Sequence, residues 1–322
     1  MSDDRSAPGL PPALPRTPGG SVVTVGTFDG VHLGHQAVLA ELRRQAERRN
    51  ARSVVATFEP HPLRVVRPSE APALLTTAEE KRRLLEALDP DHIVVLPFTP
   101  ELSRYTPRRF VSEILCDRLD MRHLVVGHDH GLGRGRSGDI DVLRRLGREL
   151  GFGVDVVPAV CLDGEPISSS RIRQALEAGA VVAAAEALGR AYAVTGTVVR
   201  GDGRGRKLGF PTANVRVADA DKLVPREGIY AARATVGGRT SGGALHLGPR
   251  PTFEAATPTL EIHLFDFDAD IYGETMRIEF CDWIREIRAF ASPAELVDAI
   301  RGDVAAARQS LGQGSACDGP EV

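Results

Sequence analysis

Over the first half of the chain, short β-branched runs alternate with amphipathic stretches. The runs are Val22–Val25, Ser53–Phe58, His92–Phe98, His123–Val126 and Val154–Val157. Apolar runs of this length bounded by turn residues read as buried strands. Between the first two, Leu39, Leu42 and Ala46 recur on one helical face, while Arg43, Arg44, Glu47 and Arg48 fall elsewhere. Strand–helix–strand repetition at this spacing predicts an α/β doubly wound parallel sheet, whose ligands bind beyond the carboxyl ends of the strands.

From Ala193 the pattern changes. Thr195–Val199, Ile229–Val236, Ala244–Leu247, Leu260–Phe265 and Met276–Phe280 are separated by turns with hardly any helix between them. This predicts an antiparallel barrel or sandwich. A terminal helix is expected over Pro293–Arg308, with Leu296, Ile300 and Val304 at helical spacing and Ser292 as its N-cap. Residues 1–20, rich in Pro and Gly, read as a disordered leader. The expected organisation is therefore 1–20, a domain over 21–187, a second over 188–310 after an Ala-rich helix, and a flexible tail over 311–322.

Candidate chemistry concentrates in two places. The first is Gly26-Thr27-Phe28-Asp29-Gly30-Val31-His32-Leu33-Gly34-His35, directly after the first strand. A Gly-rich turn opening a helix presents backbone N–H groups to an anion. His32 and His35, three apart, share one helical face and can donate to phosphate oxygens. Later, Ile167-Ser168-Ser169-Ser170-Arg171-Ile172-Arg173 offers hydroxyls and guanidiniums at a helix start. Alone, a His pair is more often structural and a Ser triplet more often a cap; their co-occurrence in a βαβ domain favours function. A metal reading is weaker, since spacing supplies no third ligand.

The second is Gly201-Asp202-Gly203-Arg204-Gly205-Arg206, followed by Pro211-Thr212-Ala213-Asn214. The Gly-rich stretch can approach phosphates with its amides but lacks a Walker ending, and a β-turn is its bland reading. Thr212 and Asn214 supply hard oxygen donors suited to Mg²⁺. Glu261 lies within an expected strand, where a carboxylate is exposed, paired or used.

Bulk properties narrow the partners. The 322 residues are 42% hydrophobic and 26% charged, sufficient for two ordinary cores. A net charge of -3 gives no global field for nucleic acid, so Arg134, Arg136, Arg171 and Arg173 point to a small anionic ligand. The 4 cysteines have no C-x-x-C spacing, which removes metal and redox motifs, and a disulfide framework is not expected. With no apolar signal region and no run long enough to span a bilayer, a cytoplasmic protein without membrane partners is expected.

The H-x-G-H and I-S-S-S-x-I-R pair resembles the nucleotidyltransferase superfamily, with a Rossmann-like fold. With Phe58-Glu59-Pro60-His61-Pro62, it is similar to the FAD synthetase module of bacterial bifunctional riboflavin kinase/FAD synthetases. Gly-x-x-x-Gly-Arg-x-Leu-Gly-Phe-Pro-Thr-Ala-Asn, Gly228-Ile229-Tyr230, Arg250-Pro251-Thr252-Phe253, Glu261-Ile262-His263 and Asp270-Ile271-Tyr272-Gly273 closely resemble the riboflavin kinase domain, a small β-barrel. The resemblance implies riboflavin, FMN and ATP as substrates with Mg²⁺, and leaves a weak homo-oligomer open. It implies that His32 and His35 stabilise a transferring phosphoryl and that Glu261 is a general base. Gly26, Phe28, Gly34, Asp129, Ser168, Ser169, Arg171, Arg173, Gly203, Gly205, Thr212 and Asn214 would serve ATP, the last two with the metal. Phe58, Pro60, Arg285 and Phe290 would contact flavin.

Two segments depart from the family. Its Gly-x-Asp-Phe-x-Phe-Gly reads Gly127-His128-Asp129-His130-Gly131-Leu132-Gly133, and its Asn-Ile-Gly reads His246-Leu247-Gly248. The competing readings are an active kinase whose first domain is impaired or uses another phosphate-bearing acceptor, and a non-catalytic flavin or nucleotide sensor.

Overall fold

The computed structural model describes residues 10–248 and 259–312. The chain divides into two compact units between Ile167 and Ser168.

The first unit runs β1 (Ser21–Val25), α1 (Leu33–Arg49), β2 (Arg52–Glu59), α2 (Pro62–Val66), α3 (Ala78–Glu86) and β3 (His92–Pro97). Then come α4 (Pro107–Arg109), which continues as a π-helical segment over Phe110–Cys116, β4 (Met121–Gly127), α5 (Ile140–Leu150), β5 (Gly153–Val157) and a hairpin of β6 (Cys161–Leu162) and β7 (Glu165–Pro166). The main sheet has the order β3-β2-β1-β4-β5 with every pairing parallel. Alternation along β1 loads both faces: Val22 joins Leu39, Leu42, Ala46 and Leu85, and Val23 and Val25 join Phe110, Ile114, Leu143 and Leu146. This is the doubly wound sheet expected from the sequence. Truncating a fully buried side chain such as Leu42 to Ala costs about 2–5 kcal/mol.

The leader departs from expectation over residues 10–20. Leu10 and Leu14 pack against the sheet's core, Leu14 N–H donates to the Arg118 carbonyl at 2.7 Å, and Thr17 N–H donates to Asp120 Oδ2 at 3.0 Å. Two leucines among prolines supply enough apolar surface to dock the segment.

The second unit opens with α6 (Ser169–Glu177) and α7 (Val181–Leu188), followed by β8 (Tyr192–Val199), α8 (Arg204–Lys207), β9 (Ala213–Val217), β10 (Gly228–Val236), β11 (Arg239–Gly248), β12 (Thr259–Leu264), β13 (Thr275–Arg285) and α9 (Pro293–Gly312). Six antiparallel strands close in the order β10-β11-β12-β9-β8-β13, because β10 pairs with both β11 and β13. The helices α6 and α7 are held to the barrel by Trp283. A Cβ on Gly179 or Gly228 would stand 2.7 or 2.5 Å from its ring, and Arg226 N–H donates to the Leu176 carbonyl.

Ser292 Oγ accepts from Glu295 N–H at 3.2 Å, capping α9 as expected. Ala307, Val304 and Leu311 of α9 then cover Ala231, Ala244 and Phe265 on the barrel's outer face. Cys116 and Cys161 are free thiols. The Arg250–Phe253 element lies outside the described residues.

Candidate active sites

In the first unit, the chain leaves β1 through a turn with three positive φ angles: Phe28 at 49°, Gly30 at 84° and Val31 at 40°. Left-handed backbone is unfavourable for a β-branched residue, so the surroundings must impose it. Asp29 does so. Its buried carboxylate accepts from Leu75 N–H (3.1 Å), Thr76 N–H (3.0 Å) and Thr76 Oγ1–H (3.1 Å). Gly30 N–H donates to Thr76 Oγ1.

The turn delivers His32 as the N-cap of α1, its Nδ1 accepting from His35 N–H at 3.3 Å. A neutral imidazole in this arrangement carries its proton on Nε2, the nitrogen able to donate to a phosphoryl oxygen. The His32 and His35 rings stack 3.6 Å apart at 18°, with Phe28 edge-on to His35. Gly34 makes that stack fit, since a Cβ there would lie 3.1 Å from the His32 ring; a Cβ on Gly26 would lie 3.2 Å from Phe28.

At the end of β2, Phe58 stands edge-on to Phe98 at 5.4 Å. The Glu59–Pro60 bond is cis, and Lys81 Nζ donates to the Phe58 carbonyl at 3.0 Å. Burial lowers the Lys81 pKa, partly countered by Glu59 and Asp29. The altered 127–133 segment remains packed: Leu132 is in the core, and Arg136 Nη2 donates to the Asp129 carbonyl at 2.7 Å. His130 fares less well. Its buried Nε2 has no hydrogen-bond partner among the described residues, and desolvation, aided by Arg136, lowers its pKa to about 4.

Ser168, Ser169, Arg171 and Arg173 belong to the second unit. Ser168 is the N-cap of α6, as expected, its Oγ accepting from Arg171 N–H at 3.3 Å.

In the barrel, Asn214, Glu261 and His246 occupy directly opposed positions on β9, β12 and β11. Ile229 and then Arg285 continue the row. Leu245, Leu247, Leu260, Ile262 and Val215 alternate with these residues and are fully or nearly fully buried in the barrel, so the row lies on the outer face. A Gly-rich loop flanks one end of it. A Cβ on Gly201 would strike the Asn214 amide at 2.3 Å, and one on Gly205 would stand 3.2 Å from Thr212 Oγ1. Gly203 has a φ of 66°. The turn is tied down by His263, whose Nδ1 donates to the Pro211 carbonyl at 2.8 Å, and by Phe210 edge-on to that imidazole. At the other end Arg285 forks onto Asp303 of α9 with two 2.7 Å bonds, and Phe290 lies 5.7 Å from its guanidinium. Asp29, Thr76 and His263 are contributors to which sequence reasoning assigned no role; Thr76 carries no local signal.

A parallel-sheet unit with a stacked His pair after β1, joined to a barrel with a carboxylate beside a Gly-rich loop, defines a two-module phosphotransfer protein. Residues 14–171 match the FAD synthetase family and residues 188–311 match the riboflavin kinase family. The chain is 37% identical to the bifunctional riboflavin kinase/FMN adenylyltransferase of Escherichia coli K12, over 91% of this chain and 93% of that one. It is 39% identical to the Pseudomonas fluorescens counterpart, covering 90% and 92%. The chain belongs to the bifunctional riboflavin kinase/FMN adenylyltransferase family, and both of its domains are present. A solved structure named as a macrolide-efflux protein from Streptococcus pneumoniae matches with a TM-score of 0.83 at 29% identity, covering 92% and 95%. Among the described residues no helix is long and apolar enough to cross a membrane.

Proposed function

We propose that the chain phosphorylates riboflavin to FMN in its barrel and adenylylates FMN to FAD in its 21–187 module, working in the cytoplasm. The reading is carried by one observation: the chain joins a His32/His35 stack at a strand-to-helix turn to a Glu261/Asn214 pair beside a Gly-rich loop.

In the kinase reaction Glu261 takes the proton of the ribityl 5′-hydroxyl, whose oxygen attacks the γ-phosphorus of ATP as ADP leaves. Thr212 and Asn214 suit Mg²⁺, being oxygen donors turned toward the loop that Gly201 and Gly205 open. When bound, the ion would neutralise phosphate charge. Gly203 and Gly205 lie over the phosphates, while Arg285 and Phe290 border the flavin. In the second reaction the FMN phosphate attacks the α-phosphorus of ATP and pyrophosphate leaves. His32 and His35 donate to the phosphoryl oxygens as charge builds. Gly26, Phe28 and Gly34 shape their turn, Asp129, Ser168, Ser169, Arg171 and Arg173 hold ATP, and Phe58 and Pro60 contact flavin.

Paired variants test the division of labour. Glu261→Gln should lower FMN formation by ~10²-fold or more and leave FAD formation from supplied FMN unchanged; His35→Ala should do the reverse. Equal loss of both activities in either variant would show that the assignment of one reaction to each module is wrong.

A further inference from the structure

β2 outruns β1 at their carboxyl ends. The two pair in parallel only as far as Val25 and Ala56, and the last rung is Gly26 N–H donating to the Ala56 carbonyl at 3.1 Å. β2 continues to Glu59. Along a strand the backbone groups of alternate residues face the same neighbour. Glu59 faces β3, where its carbonyl accepts from Phe98 N–H at 2.9 Å. Phe58, like Ala56, therefore faces the line of β1, from which the chain has already turned away toward His32 and His35. Lys81 of α3 supplies the donor that β1 no longer provides. Its Nζ lies 3.0 Å from the Phe58 carbonyl and 3.7 Å from Glu59 Oε2, on a side chain only 12% exposed.

The same helix is tied to the turn after β1. Thr77 caps α3 through a reciprocal pair of bonds with Glu80, and Leu75 and Thr76 just before it donate to Asp29. One helix thus holds both strand exits, the His turn at its start and the Phe58 segment through Lys81. Ligands of such sheets bind beyond these exits. The Phe58 ring stands edge-on to Phe98 and 6.2 Å from Phe110, so a shift of its backbone displaces an aromatic surface there.

We propose that Lys81 is a positioning residue for adenylyl transfer: by holding the Phe58 carbonyl it fixes the end of β2 against which FMN binds. The inference rests on the reading that Phe58 contacts flavin. Lys81 itself touches no reacting atom and transfers no proton.

The test uses the full chain with Lys81→Met, which keeps the stem and removes the donor, and Lys81→Arg, which keeps a donor. FAD formation is measured against FMN and Mg-ATP separately, with riboflavin phosphorylation as the control for an intact chain. Lys81→Met should raise KM for FMN about tenfold, with kcat and KM for ATP within about threefold of wild type. Lys81→Arg should recover KM for FMN to within about threefold, and in a Phe58→Ala background Lys81→Met should cost less than about twofold. A loss of kcat alone, equal rises in both KM values, or an undiminished effect without the Phe58 ring marks a purely structural role and overturns the inference. If Phe58→Ala leaves KM for FMN unchanged, the flavin contact and this inference fall together. If Phe58→Ala raises it and Lys81→Met does not, this inference falls alone. Should Lys81→Met unfold the first unit, Lys81→Gln replaces it, with the same expected rise confined to FMN.

Discussion

Asp29→Asn probes how the first site is held in shape. The carboxylate accepts at Oδ2 from Leu75 N–H and at Oδ1 from the N–H and the hydroxyl of Thr76. An asparagine in the same rotamer keeps one acceptor oxygen for Thr76 and turns its NH₂ against the Leu75 N–H. One buried donor then loses its partner, at about 1–3 kcal/mol, and two charge-assisted bonds become neutral ones, for a total of about 3 kcal/mol. The same contacts impose the left-handed Phe28 and Val31 that aim His32 and His35. A displacement near 1 Å at the reacting groups costs ~10²-fold in rate. The assay pairs urea unfolding of the first unit with FAD synthesis from FMN and Mg-ATP, and uses riboflavin phosphorylation as the control. The expected result is a destabilised first unit, FAD synthesis down ~10²-fold and kinase turnover unchanged. Unchanged stability with FAD synthesis within about threefold of wild type would refute the reasoning.

Gly34→Ala should separate activity from stability. The added methyl pushes the His32 ring, lowering FAD synthesis about tenfold, while the alanine in the first turn of α1 raises stability by about 0.5–1 kcal/mol. For His130, the folded pKa of about 4 lies below the unfolded value near 6.5, so the unfolded chain binds more protons between them. Its contribution to stability is full above about pH 6.5 and is lost as pH falls toward 4. Replacing it with Phe removes that term, so the stability gap between His130→Phe and wild type should widen by about 2 kcal/mol from pH 7.5 to pH 5, read by urea unfolding at both values.

The elements that periodicity encodes were legible before the structure. The five parallel strands, the buried face of α1 and the Ser292 cap of α9 follow from local spacing. β9 escaped notice because Ala-Asn-Val-Arg-Val alternates two valines with polar residues, of which Asn214 is buried rather than solvated. The docking of Leu10 and Leu14 was hidden by the prolines around them. Within the sites, His32, His35 and Glu261 were visible as motif members, but the Asp29–Thr76 tie spans 47 positions and exists only once α3 is seated. The Asn214–Glu261–His246 row likewise comes from strand register, which no local pattern specifies.

The central claim is that one chain performs two successive reactions. It is tested most directly by following riboflavin incubated with Mg-ATP and the purified chain, separating products chromatographically over time. The account predicts FMN that rises first and then declines as FAD appears. FMN accumulating without FAD would contradict it, confining turnover to the barrel and directing attention to His130 and Leu132.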